Sequence, residues 1–278
     1  MKMKRIFSLI GVIAGLILML SSASAQQWTS AIRLPSGGTP DMVIDRQTGN
    51  VHVLVMNNKV IHVVLDQDGN EISQEDVPGS DGPIGDYRFG ASIAVDSQGQ
   101  PHVVYQKHIG NNYYDAYYIY KTGSGWSNAL KFSSNVWRGY GMRIAIDHDD
   151  DVHIIYGVPD QVNAVSATAT YFRIEGGRIT NTITNMQKWR IEDHLEIDTY
   201  VDHEVHVLLS RPDPNGKVYY HYSTNSGNSF SGPTNIREGD DEGRPGNGDL
   251  FVDLQESRWR HFLALSLAAS RRLLMTHK

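Results

Sequence analysis

"IAVDSQGQPHVVY", residues 93–105, holds the reading of the whole chain. An apolar run ends in Asp96, a short polar turn containing Gly99 follows, and a second apolar run opens at His102. Short apolar runs around such a turn are the mark of paired antiparallel strands. The pattern recurs. "MVID", "IAVD", "IAID", "LEID" and "LFVD" end at Asp45, Asp96, Asp147, Asp198 and Asp253, in steps of 51, 51, 51 and 55 residues. After them come "VHVLV", "PHVVY", "VHIIY", "VHVLL" and "RHFLA", carrying His52, His102, His153, His206 and His261.

Each unit continues with a tyrosine-rich run ("YDAYYIYK", "ATYFRIE", "VYYHYS") and then a run opened by a large aromatic ("GWSNALKF", "SFSGPTNI"). The first unit, "NKVIHVVLDQDGNEISQ", lacks the aromatic strand. No helical periodicity of useful length interrupts the repeats. Four short strands per unit, repeated along the chain, predict an all-β fold, a β-propeller of four-stranded blades with about five repeats visible and the last truncated. Trp28–Ile32 matches the fourth strand at Trp126–Leu130, so the N-terminal stretch is expected to complete the last blade and cover its edge.

Residues 1–25 read as a signal peptide: Lys2, Lys4 and Arg5, then "IFSLIGVIAGLILML", then "SSASA". The propeller domain is expected over 26–265, and 266–278 form an atypical tail. A secreted or periplasmic location follows, with no membrane span after signal removal. Taking 25 residues from 278 leaves 253, with 22 Lys+Arg against 31 Asp+Glu, a formal charge of −9. That balance argues against a nucleic-acid partner. With no cysteine, an exported chain gains no disulfides and depends on a packed core, and a monomer is expected.

His102 belongs to the repeat, so hydrogen bonds tying one blade to the next are its expected work. His108 has no counterpart: the other repeats carry "NN", "GVPD" and "SRPD" there. It ends a second strand, on the rim that carries the loops between second and third strands. It is the candidate for chemistry, an exposed loop histidine being the alternative. The loops entering the first strands, "GDYRFGAS", "WRGYGMRI", "KWRIEDHLE" and "EGRPGNGD", bring Tyr87, Arg88, Arg138, Tyr140, Arg143, Arg190, Glu192, His194 and Arg244 to the same rim, with Arg211 from a second-strand end. Arginine forks suit carboxylate or sulfate, and tyrosines stack on sugar rings. "DHDDD", Asp147 to Asp151, is an acidic turn where a structural calcium is possible. No zinc-type spacing is present, so no metal site is assigned and no cofactor is required.

"STNSGNSF", Ser223 to Phe230, fits the Asp-box pattern with Asn225 in the aspartate place. With the "VHVVY"-type repeats and tyrosine-rich strands, the chain resembles the sialidase-like Asp-box propellers. Within them it is similar to a short form of the β-propeller ulvan lyases of marine bacteria. The resemblance implies an exported lyase that cleaves an anionic sulfated polysaccharide, ulvan, by β-elimination at uronic acid. Carried over residue by residue, it implies His108 as acid/base, Tyr171 as the tyrosine and Arg190 as carboxylate neutraliser. Arg88, Asn112, Tyr113, Tyr140, Arg143, His194 and Arg211 are then substrate-binding. Tyr171 also occupies the repeat position of Tyr118, so a core role competes with the chemical one. A sialidase-like glycoside hydrolase using Glu192 and Asp193, or a non-catalytic carbohydrate-binding propeller, remains open.

Overall fold

A computed structural model describes residues 31, 33–82, 90–137, 140–159, 166–190, 195–200, 203–211, 217–237, 248–252 and 261–265. Every element among them is a strand. The first sheet contains β1 (Gly38–Ile44), β2 (Val51–Met56), β3 (Val60–Leu65) and β4 (Glu71–Asp76) in sequence order. The second has β5 (Ala91–Val95), β6 (Pro101–Gly110), β7 (Tyr113–Thr122), β8 (Gly125–Trp126) and β9 (Leu130–Trp137), the last two both pairing with β7. The third comprises β10 (Tyr140–Ile146), β11 (Val152–Pro159), β12 (Ser166–Glu175) and β13 (Arg178–Arg190). The fourth comprises β14 (Leu195–Tyr200), β15 (Glu204–Arg211), β16 (Lys217–Ser223) and β17 (Thr234–Arg237). A last antiparallel pair joins β18 (Gly248–Val252) to β19 (His261–Leu265).

The sheets stand one after another like propeller blades. The ends of β1, β5, β10 and β14 converge on a single cavity. Apolar clusters fill the gaps between sheets. Leu54, Met56, Ile93, Val103 and Ile119 join the first to the second. Val104, Tyr118, Ile144, Ile154 and Phe172 join the second to the third. Ile155, Tyr171, Leu195, Val207 and Leu209 join the third to the fourth. A strand covered on both faces needs no polar alternation. This is why "VHVLV" and "PHVVY" read as continuous apolar runs.

Bonds between neighbouring sheets repeat the sequence step. Asp41 Oδ2 accepts from the Ile93 N–H at 2.9 Å, 52 residues on. Ser97 donates through N and Oγ to Asp150, both at 2.7 Å and 53 residues on. Thr199 Oγ1 donates to the Ile146 carbonyl at 2.8 Å, again across 53 residues.

The recurring histidines act mainly inside their own sheets, which corrects the expectation that they tie blade to blade. His153 Nε2 lies 3.1 Å from Asp147 Oδ2 and Nδ1 lies 2.7 Å from the Tyr171 hydroxyl. His102 repeats this with Asp96 at 3.3 Å and Tyr118 at 2.7 Å. His206 Nδ1 lies 2.5 Å from the Tyr220 hydroxyl, with Glu204 as the carboxylate 3.4 Å from Nε2. Each links a strand turn, the second strand and the third. The first sheet departs from this: His62 stands in the tyrosine place, 3.0 Å from His52 Nδ1, with its own Nδ1 3.3 Å from Glu75. Glu75 is in turn ion-paired with Lys121 of the second sheet. Only here does the relay cross between sheets among the described residues.

The expected fourth strand at Trp28–Ile32, the leader over 1–25 and the tail over 266–278 lie outside the described residues, apart from Ala31. The weak-looking first unit nevertheless forms a full four-stranded sheet. Its β4, "EISQED", is mostly exposed and so carries no aromatic signal.

Candidate functional site

The β6–β7 hairpin reverses at Asn111 and Asn112, whose φ values are 52° and 62°. Asparagine tolerates this left-handed region better than most side chains, and two such residues in succession give the tight turn that suits twisted strands. Just before the turn, His108 faces Tyr114 across the ladder, their ring centroids 5.1 Å apart. His108 and Tyr114 are half-buried and Asn112 is exposed. Tyr113 pairs with Trp137 and Tyr114 with Val136 on β9. The registers place His108 and Tyr114 on one face of the sheet and Tyr113 and Trp137 on the other, with Asn112 at the turn between the strands.

The hairpin is held from beneath. Lys107 donates to the Gly79 carbonyl at 3.0 Å and Tyr105 to that of Pro78 at 3.3 Å, on the face toward the first sheet. Asp115 accepts from the Asn135 N–H at 2.8 Å, from Lys131 at 3.2 Å and from the Tyr117 hydroxyl at 3.3 Å. Burial opposes ionisation of Asp115, but these donors outweigh it and its carboxyl falls below the usual range. Two residues inward from His108, on the same strand face, the Gln106 amide is 1 % exposed and neither its oxygen nor its nitrogen finds a partner. Tyr114 and Gln106 escaped the sequence reading. The period-2 placement of His108 on β6 was the signal that would have found Gln106.

The other candidates fare differently. Tyr171 is 0 % exposed, its hydroxyl bonded to His153, and burial pushes that hydroxyl well above its usual range. It belongs to the core between the third and fourth sheets, so it cannot meet a polymer at the rim. Arg143 is a clamp: its Nε donates to both Glu196 oxygens at 3.2 and 3.1 Å, across 53 residues, and its guanidinium also donates to the Met142 carbonyl. A cation so engaged is neutralised within the protein. Arg190 ends β13 opposite Ser166, Tyr140 opens β10 opposite Gly157, and Arg211 closes β15 opposite Lys217. Their backbones are described and their side chains are not. Arg88 and His194 lie outside the described residues, as do Tyr87, Arg138, Glu192, Asp193 and Arg244.

On the opposite side, where the turns after the first strands lie, the four first strands enclose a cavity of about 420 Å³. Met42, Ile44, Ile93, Ile146 and Ile197 supply its apolar wall, and Arg46, Gln47, Ser97 and His148 its polar mouth. Asp147 lines it too, but its carboxylate is taken by His153 and by the N–H groups of Asp149 and Asp151 at 3.0 and 3.0 Å. These bonds show the acidic turn as a self-satisfied loop at Asp147.

The Asp-box lies elsewhere again. Ser223 Oγ accepts from the Gly227 N–H at 2.9 Å and Asn225 Oδ1 from the Ser229 N–H at 3.0 Å. Gly227 lies against Tyr171 of the preceding sheet, and Phe230 meets the same ring edge-on at 4.9 Å. The box is a joint between sheets, remote in sequence from His108.

No family model and no curated protein matches the chain. Solved structures do. A protein of unknown function from Bacteroides caccae is 14% identical over 73% of this chain and 69% of that one, with a TM-score of 0.46. A GH43 endo-arabinanase from Bacillus licheniformis is 12% identical over 76% and 84%, TM-score 0.41. The Aleuria aurantia lectin, solved with a fucosylated sugar, is 14% identical over 71% and 61%, TM-score 0.46. Identities this low and TM-scores below 0.5 leave the activity to the chain's own residues.

Proposed function

We propose that this chain is an exported, carbohydrate-active propeller that cleaves a sulfated, uronic-acid-containing polysaccharide by β-elimination, ulvan being the substrate toward which the sequence resemblance points. The observation that carries the proposal is the rim pair His108–Tyr114, half-buried and in ring contact, next to the exposed turn residue Asn112. Elimination needs a base for the C5 proton and an acid for the departing O4. The C5–H electrons form the C4=C5 double bond, the C4–O4 bond breaks, and O4 leaves with a proton. His108 and Tyr114 can divide these two tasks. Tyr114 takes the place first given to Tyr171. Arg190 is the proposed neutraliser of the uronate carboxylate, whose charge must be lowered before its α-proton can leave.

The chain is proposed to act outside the cytoplasm as a monomer, with the leader removed. The test is incubation with ulvan and other uronate polymers while following the ultraviolet absorbance of the unsaturated uronate. A rise that His108→Ala abolishes, with folding intact, supports the lyase. New reducing ends without that absorbance would turn the reading to hydrolysis and to Glu192 and Asp193. Binding with neither signal would leave a lectin-like protein.

A further inference from the structure

The acidic turn after β10 carries Asp147, Asp149, Asp150 and Asp151, and three of these carboxylates are committed. Asp147 serves His153, Asp150 serves Ser97 of the preceding sheet, and Asp151 pairs with Arg173 at 2.6 Å. Asp149 faces two imidazoles instead. His148 Nε2 lies 3.3 Å from its Oδ1 and His203 Nδ1 lies 3.3 Å from its Oδ2. The imidazole centroids are 5.1 Å apart, and one ligand atom from each of the three residues falls within 4.8 Å of the others.

We propose that His148, Asp149 and His203 form a binding site for a divalent transition-metal ion of the zinc class, at the junction of the third and fourth sheets beside the cavity mouth. Ligand atoms about 2.0–2.1 Å from a tetrahedral zinc stand roughly 3.3 Å from one another, and the three ligand atoms, within 4.8 Å of one another here, need only a small inward adjustment to close on an ion. Two imidazoles and one carboxylate select zinc, nickel or copper over calcium or magnesium, which demand oxygen. The three side chains are 45%, 50% and 52% exposed, so a fourth position stays open to water.

The scaffold on both sides is fixed. The Asp149 N–H donates to Asp147 Oδ1 at 3.0 Å, and the His203 carbonyl accepts from the Ser226 N–H at 2.7 Å. The Thr199–Ile146 bond joins β14 to β10 between the two turns. Other junctions use ordinary donors at this level, Gln47 to the Ser97 carbonyl and Ser97 to Asp150. Among the described residues only this junction sets two imidazoles on one carboxylate. In a chain without cysteine, an ion here would fasten two sheets as a disulfide fastens two loops.

The test uses the purified, untagged protein, stripped with chelator and titrated with zinc chloride at neutral pH by calorimetry. Thermal unfolding is followed with and without zinc, and visible absorption with cobalt. One saturable ion per chain, a raised unfolding midpoint and cobalt bands of tetrahedral type are expected. His148→Ala and His203→Ala should each weaken binding by at least about tenfold and remove the rise in midpoint. His108→Ala should leave both unchanged. Absence of saturable zinc binding, or binding untouched by both histidine substitutions, would overturn the site. Circular dichroism verifies that each variant is folded.

Discussion

Tyr171 Oη lies 2.7 Å from His153 Nδ1, and His153 Nε2 lies 3.1 Å from Asp147 Oδ2, all three residues buried. The carboxylate can only accept, so Nε2 carries the proton and donates to it. With the imidazole neutral, Nδ1 is then the acceptor, and the tyrosine hydroxyl donates. Burial opposes charge on Asp147, but the bonds from His153 and from the N–H groups of Asp151 and Asp149 hold it below the usual carboxylate range. Tyr171→Phe leaves a buried acceptor unpaired and should cost about 1–3 kcal/mol of stability, read from urea unfolding. Activity per folded molecule should stay unchanged, and a specific loss of turnover would return Tyr171 to the chemistry.

The relay in the first sheet runs the other way and makes stability depend on pH. His62 Nδ1 donates to Glu75, so its Nε2 accepts from His52. Burial, only partly offset by Glu75, lowers the His62 pKa to about 4 from the ordinary 6.5. Between those values the unfolded chain binds the proton and the folded chain does not, so stability rises with pH. The contribution is fully present above about pH 6.5 and lost as pH falls toward 4, roughly 3 kcal/mol in all. His62→Tyr, which installs the residue of the other sheets, should flatten the profile of unfolding midpoint against pH. An equally steep profile would place the acid sensitivity elsewhere.

Arg143 and Glu196 join the third sheet to the fourth with side chains only 19% and 18% exposed. Arg143→Ala removes both bonds to a largely buried carboxylate and should destabilise by about 2 kcal/mol, between the surface and fully buried cases. If Arg143 held substrate instead, the Michaelis constant would rise with stability unchanged.

Gly227 sits at φ 73°, and a Cβ there would fall 1.7 Å from the Tyr171 hydroxyl. Gly227→Ala combines left-handed strain with a clash against a ring that cannot withdraw. A loss of more than about 2 kcal/mol is expected in denaturant unfolding. A neutral substitution would mean that the Asp-box turn can lift off its neighbour.

Tyr114→Phe keeps the ring against His108 and removes only the hydroxyl. On a uronate polymer it should lower turnover by about 10²-fold or more with little change in unfolding midpoint. Unaltered turnover would remove Tyr114 from the proton-transfer pair.

The 51-residue step determined the strand order, the Asp-to-His spacing within each unit and the one-repeat reach of the bonds between sheets, because a period repeated in sequence must be repeated in packing. His108 stood out for the same reason, as a break in that period. What the chain read alone could not decide was which way side chains point and what they meet. Tyr171 and Tyr114 both read as strand tyrosines, yet one lies sealed between two sheets and the other reaches the rim beside His108. Arg143 read as a free cation until the fourth sheet brought Glu196 against it. His148 and His203 are 55 positions apart and share no motif. Only the packing of one sheet on the next sets them around Asp149, since neighbours across sheets are fixed by tertiary packing and leave no local spacing to read.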